Sequence, residues 1–111
     1  MASGTITTPV TFISRIFNNV TSVTANISNI DSNYGALWIL TGRHYSTSAV
    51  YGAIGVFSGQ NGGTSILCSS GFDGLTSVIE ISGSDRLLKV SWNGNLSYAH
   101  LKIISLFGVG I

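Results

Sequence analysis

The chain has 111 residues, of which 8% are charged and 44% hydrophobic, with a formal net charge of +1 and a mean hydropathy of +0.43. A soluble globular chain ordinarily carries ~25% charged residues, so Ser, Thr and Asn must wet most of this surface, and part of the apolar surface is expected to be buried against other copies of the chain. The composition argues against nucleic acid, which needs clustered Lys or Arg, against a disulfide framework or a Cys-based metal site, because Cys68 is alone, and against membrane insertion, because no stretch reaches the ~18 apolar residues that span a bilayer.

The first residues lack the positive charges and apolar run of a secretory leader. Residues 13–33 then divide into the blocks ISRIFNN, VTSVTAN and ISNIDSN. Each block has a β-branched aliphatic at its first and fourth positions: Ile13 and Ile16, Val20 and Val23, Ile27 and Ile30. This 4-3 spacing is the seam of a left-handed coiled coil. Thr8 and Pro9 suit a helix start, and Gly35 suits its end. The spacing therefore predicts a helix over about residues 9–34, roughly 39 Å long at the α-helical rise. Ile or Val at every core position favours three strands over two, so a homotrimer is expected. The competing reading is a pair of β-strands. Ile, Val, Thr and Asn are weak helix formers, Val23–Ile27 alternates acceptably for a strand, and the flanking helix positions lack salt-bridging charges.

From Ala36 the apolar period changes to two, which predicts strands at Ala36–Thr41, Ala49–Phe57, Thr64–Ser69, Val78–Ser82, Arg86–Trp92 and Leu96–Phe107. Gly83-Ser84-Asp85 and Asn93-Gly94-Asn95 read as tight turns, which would make the last three strands an antiparallel meander. The fold class expected is mainly β: a short N-terminal trimeric coiled-coil helix followed by a small antiparallel β-sandwich head of jelly-roll type. The corresponding division is an N-terminal arm and neck over 1–35 and a head over 36–111. In the last strand Tyr98, His100, Lys102, Ile104 and Leu106 share one face, and Ala99, Leu101, Ile103 and Phe107 the other. Antiparallel sheets usually wet one face. Ile104 and Leu106, apolar on the second face, are therefore assigned to the trimer interface together with the six heptad residues.

Chemistry is sparse. The acidic residues Asp31, Asp73, Glu80 and Asp85 are not paired for glycosidase work, and no nucleophile elbow accompanies His44 or His100. Gly59–Gly63 lacks the Lys-Ser/Thr ending of a phosphate loop. No catalytic residue, cofactor or metal is expected. Binding residues concentrate on loops carried by rigid scaffolds, and Gly42–Ser48 (GRHYSTS) is the best-equipped loop. Arg43 offers a fork of donors, His44 a donor–acceptor ring and Tyr45 an aromatic face with a hydroxyl. Such mixtures bind sugars. The plainer alternative is that Arg43 and His44 solvate a turn while Tyr45 packs inward. Gln60 and Asn61 on the next hairpin are secondary candidates. Trp38 and Trp92 are expected in the core or at a subunit interface.

A short Asn/Ser-rich heptad neck, a Trp-containing first strand (ALWIL) and a glycine-rich β head resemble the C-terminal tip of a trimeric viral fibre. The closing segment SYAHLKIISLF is similar to the last strand of many bacteriophage tail-fibre and receptor-binding-protein tips, and small adenovirus fibre heads share the architecture. The resemblance covers nearly the whole chain as a pattern, without a diagnostic motif or a fixed set of binding residues. It implies a homotrimeric head on the virion, at the outer end of a fibre, that attaches to a host-surface receptor, often a glycan. Met1 suggests a separately expressed fragment or a very short natural protein. The alternatives are a trimerisation or capping domain without a receptor, a soluble carbohydrate-binding module, and a glycan depolymerase.

Overall fold

The computed structural model describes residues 10–28, 30, 35–46, 49–58 and 63–105. They form six strands: β1 (Val10–Asn26), β2 (Gly35–Arg43), β3 (Tyr51–Ser58), β4 (Thr64–Ser70), β5 (Asp73–Ser82) and β6 (Asp85–Ser105). The protein is mainly β, every pairing is antiparallel, and no helix occurs among the described residues. The strands predicted at Ala36–Thr41, Ala49–Phe57 and Thr64–Ser69 appear close to their expected bounds, whereas the one predicted at Val78–Ser82 starts five residues earlier, at Asp73.

The spine is β6, which is 21 residues long. Along one edge β1 pairs with its full length, from Val10 opposite Ser105 to Asn26 opposite Leu87. Two strands share the other edge. β5 lies along the first half, with Ile81 opposite Arg86 and Thr76 opposite Ser91. β2 lies along the second half, with Arg43 opposite Tyr98 and Leu37 opposite Ile104. β3 and β4 continue outward from β2.

Two expectations are corrected. Within the predicted coiled-coil helix, Val10–Asn26 is strand β1, and Ile27, Ser28 and Ile30 follow it outside any helix or strand. The cap at Thr8 and Pro9 lies outside the described residues, and Gly35 opens β2 opposite Ser58 rather than closing a helix. Val23, Ile27 and Ile30 are buried in the chain's own core, Ile13 and Val20 pack against it, and Ile16 is 71% exposed. The true inward stripe is Ile13, Phe17, Val20, Val23, Ala25 and Ile27. A regular strand cannot turn both Phe17 and Val20 inward, because its side chains alternate. The strand departs from regularity twice: Asn19 takes φ 54°, which Asn tolerates better than most residues, and the pairing with β6 shifts register between Val20 and Ser22. A bulged strand thus mimics 4-3 spacing, and the β-branched content that weakens a helix fits a pleated, half-buried surface. β1 shares its core with β6.

The second correction concerns Asn93-Gly94-Asn95. It is a kink inside β6 and not a hairpin. β1 advances from Val20 to Ser22 while β6 runs from Leu96 to Ser91. Gly94 takes φ +92° there, a conformation that costs glycine little. The kink flips which side chains face inward. Leu88, Val90 and Trp92 are buried before it, and Ser97, Ala99, Leu101 and Ile103 after it. The Gly83-Ser84 turn does form a hairpin, joining β5 to β6 with Ser82 opposite Asp85.

One core cluster draws on both halves of β6 together with β1, β2 and β3. Trp38 is fully buried at its centre. Its indole Nε1 donates to Thr64 Oγ1 at 3.1 Å, and that hydroxyl donates to the Val56 carbonyl at 3.0 Å. Gly55, opposite Trp38, gives the ring its space: a Cβ there would meet indole atoms at 2.1–2.4 Å. Arg86 fastens the chain after β1. Its Nη2 donates to the carbonyl oxygens of Ile27, at 3.3 Å, and of Ile30. Its backbone N–H donates to Ser28 Oγ at 3.0 Å.

Candidate receptor-binding cleft

Three strands build a platform on the sheet's outer face. Ile16 of β1 stands opposite His100 of β6, which stands opposite Thr41 of β2. In the next row Asn18 faces Tyr98, and Tyr98 faces Arg43. Alternation puts both rows on the face away from the core, because Ala99 between them is buried at 1% exposure. A cleft of about 340 Å³ opens here, lined by Ile16, Thr41, Gly42, Arg43, Tyr98, Ala99 and His100.

The Arg43 guanidinium sits over the Tyr98 ring, with Cζ 5.7 Å from the centroid, within the range of a cation–π contact. His100 Nε2 and Ser14 Oγ are 2.8 Å apart, which fixes the imidazole on the platform. His44 and Tyr45 follow directly after β2, and their rings stack 5.1 Å apart at 14°. The Ser46 backbone N–H donates to His44 Nδ1 at 3.2 Å. A backbone N–H can only donate, so in the neutral ring the proton is on Nε2. The Ser46 hydroxyl lies 2.6 Å from the same Nδ1. The Tyr45 backbone N–H donates to Ser97 Oγ at 3.1 Å, and Ser97 is the buried polar residue beside the kink. The loop is thereby tied to the spine, while the Tyr45 ring is 73% exposed and not packed inward.

The charge around the cleft has one sign. Lys102 is two residues beyond His100 on the same face, opposite Ser14 and Ile39. Among the described residues no carboxylate pairs with Arg43 or Lys102. The described acids lie along the β5–β6 hairpin: Asp73 opposite Asn93, Glu80 opposite Leu87, and Asp85 opposite Ser82. No group of three or more potential metal ligands occurs among the described residues.

The predicted Arg43, His44 and Tyr45 thus lie at the cleft or on the loop beside it. Gln60, Asn61 and Leu106 lie outside the described residues. Ile104 is half-buried on the outer face, opposite Leu37. The cleft residues Ile16, Thr41, Tyr98 and His100 were not among the binding candidates of the sequence. Their signal was the polar alternation Tyr98-His100-Lys102, but the partners of that strand were not legible.

No protein-family model matches this chain, and no curated protein matches it. Among solved structures it is similar to the Acinetobacter baumannii phage AM24 tailspike protein, at 15% identity and a TM-score of 0.39 over 88% of this chain. The matched part is 26% of that tailspike chain, so this chain spans about a quarter of its length.

Proposed function

We propose that this protein is a binding module without catalysis: the distal receptor-binding tip of a viral fibre, of bacteriophage tail type, carried on the virion and attaching to a host-surface receptor or glycan. The observation that carries this reading is the cleft. It combines an aromatic face at Tyr98 and an imidazole at His100 on β6 with a guanidinium at Arg43 on β2 and an apolar wall at Ile16 on β1, the mixture of apolar wall and few convergent polar groups typical of ligand sites. The platform is held by backbone pairing on both edges of β6, so little ordering is required on binding.

The other half of the same face supports self-association. Ile104, Leu37 and Val56 form one row across β6, β2 and β3, and Ile39 and Ile54 adjoin it. None of these is fully buried within the chain. With four acids and five bases in all, a second and third copy of the same charge-poor chain is the fitting cover. Three copies is the number that the fibre-tip resemblance implies.

The test is a glycan array and cell-labelling assay with the parent and Tyr98→Ala. The parent should label cells or glycans, and the variant should lose about tenfold in affinity, the worth of one aromatic contact. An assembled protein that labels nothing would instead be a structural cap of a fibre.

A further inference from the structure

We infer that the ligand of the cleft is an acidic saccharide, with its carboxylate taken by Arg43 and its ring laid against Tyr98; this rests on reading the cleft as a saccharide site. The first ground is the uneven distribution of a very small number of charges. Arg43 and Lys102 stand on the platform face, with His100 between them and His44 on the adjoining loop. The described acids stand on the β5–β6 hairpin, on the other side of the kink. No carboxylate is paired with either cation of the platform among the described residues. In a charge-poor chain this field is not cancelled by neighbours, and it favours an anion over a neutral sugar.

The second ground is the free fork of Arg43. Its Cζ lies over the Tyr98 ring, 5.7 Å from the centroid, and among the described residues no hydrogen bond or ion pair occupies its N–H groups. A planar carboxylate matches that fork with two parallel N–H···O bonds. Sulfate or phosphate sites gather several cations or backbone N–H groups, and one guanidinium with a neighbouring lysine suits a single negative charge better.

The third ground is the pairing of polar and apolar walls. Ile16 is 71% exposed on one side of the cleft, and Tyr98 is 50% exposed on the other. These surfaces take the C–H faces of a pyranose, while Thr41 and His100 offer hydroxyl-scale hydrogen bonding. At about 340 Å³ the cleft is at the small end of ligand sites, which run from ~300 to ~1,000 Å³. That size suits an end sugar more than a length of chain.

The experiment compares four probes on the full chain: uronic acid-terminated and sialic acid-terminated oligosaccharides, the carboxyl-reduced form of the first, and a neutral hexose oligomer. Each is titrated against the parent, Arg43→Gln and Tyr98→Ala, and circular dichroism verifies that each variant is folded. An acidic probe should bind, and carboxyl reduction or Arg43→Gln should each weaken it about tenfold to a hundredfold, the worth of a charged hydrogen-bonding group. Raising the salt should also weaken the acidic probe and leave any neutral binding unchanged. If the reduced or neutral probe binds as tightly as the acidic ones and only Tyr98→Ala weakens it, the acidic-ligand inference falls while the cleft reading stands. If no probe binds, both fall.

Discussion

Ile16 and Ile27 are the same residue type, and both occupy core positions of the apparent heptad, so truncating each to Ala separates the sheet from the coiled coil. Ile27 is 0% exposed, whereas Ile16 is 71% exposed. Removing a buried Ile side chain to Ala costs about 2–5 kcal/mol, through lost transfer energy and the cavity left behind. Ile27 belongs at the upper half of that range, because its backbone N–H donates to the Arg86 carbonyl at 2.8 Å and its own carbonyl receives the Arg86 guanidinium. Such anchoring limits collapse around a cavity. Ile16 has little to lose: fully burying an aliphatic side chain is worth about 1.5–3 kcal/mol, and less than a third of this one is covered. Ile16→Ala should therefore cost less than about 1 kcal/mol. Denaturant unfolding followed by tryptophan fluorescence reads both variants, since Trp38 and Trp92 are buried and redden on exposure. In a domain of this size each kcal/mol corresponds to about 4–8 °C in Tm. Equal losses at the two positions, growing as protein concentration falls, would refute the strand assignment and restore a helical seam.

Gly55→Ala should distort the core, because its Cβ would overlap the Trp38 ring; a loss of about 1–3 kcal/mol is expected from overpacking, with altered near-UV circular dichroism. Arg86→Ala leaves the Ile27 and Ile30 carbonyls without their guanidinium partner and should cost about 2–3 kcal/mol in denaturant unfolding, as for hydrogen bonds to a charged group. Gly94→Ala forces a side chain into φ +92° and should cost about 1–3 kcal/mol, read as a lower Tm. Ile54→Lys, on the apolar half of the outer face, should disperse the proposed oligomer in sedimentation without lowering the stability of the single chain.

Strands β2 to β4, and the second half of β5, were legible because their signals are local. Alternating apolar residues bounded by Gly, Ser and Asn give both the strand and its ends. Residues Val10–Asn26 were not, because the positive φ of Asn19 and a register shift between Val20 and Ser22 let a strand turn Ile13, Phe17, Val20 and Val23 inward with intervals that mimic a heptad. Weak helix propensity and missing flanking charges were the better guide there. Asn93-Gly94 misled in a similar way. The dipeptide signals positive φ, and positive φ occurs at Gly94, but the same conformation serves a kink as well as a hairpin. Half of the site was legible, since Arg43, His44 and Tyr45 are consecutive and chemically distinctive. Tyr98 and His100 join them only through the pairing of β2 with β6, a contact over more than fifty residues of chain that no local pattern encodes.

Everything functional depends on the cleft's being where a ligand sits. Amide chemical shifts recorded by NMR, while the tightest-binding saccharide is titrated into the uniformly labelled protein, report that directly. The shifts should concentrate at Ser14–Asn18, Thr41–Tyr45 and Ser97–His100, with the Gly83–Asp85 hairpin unmoved. Shifts confined to that hairpin, or absent from Arg43 and Tyr98 at saturation, would contradict the assignment.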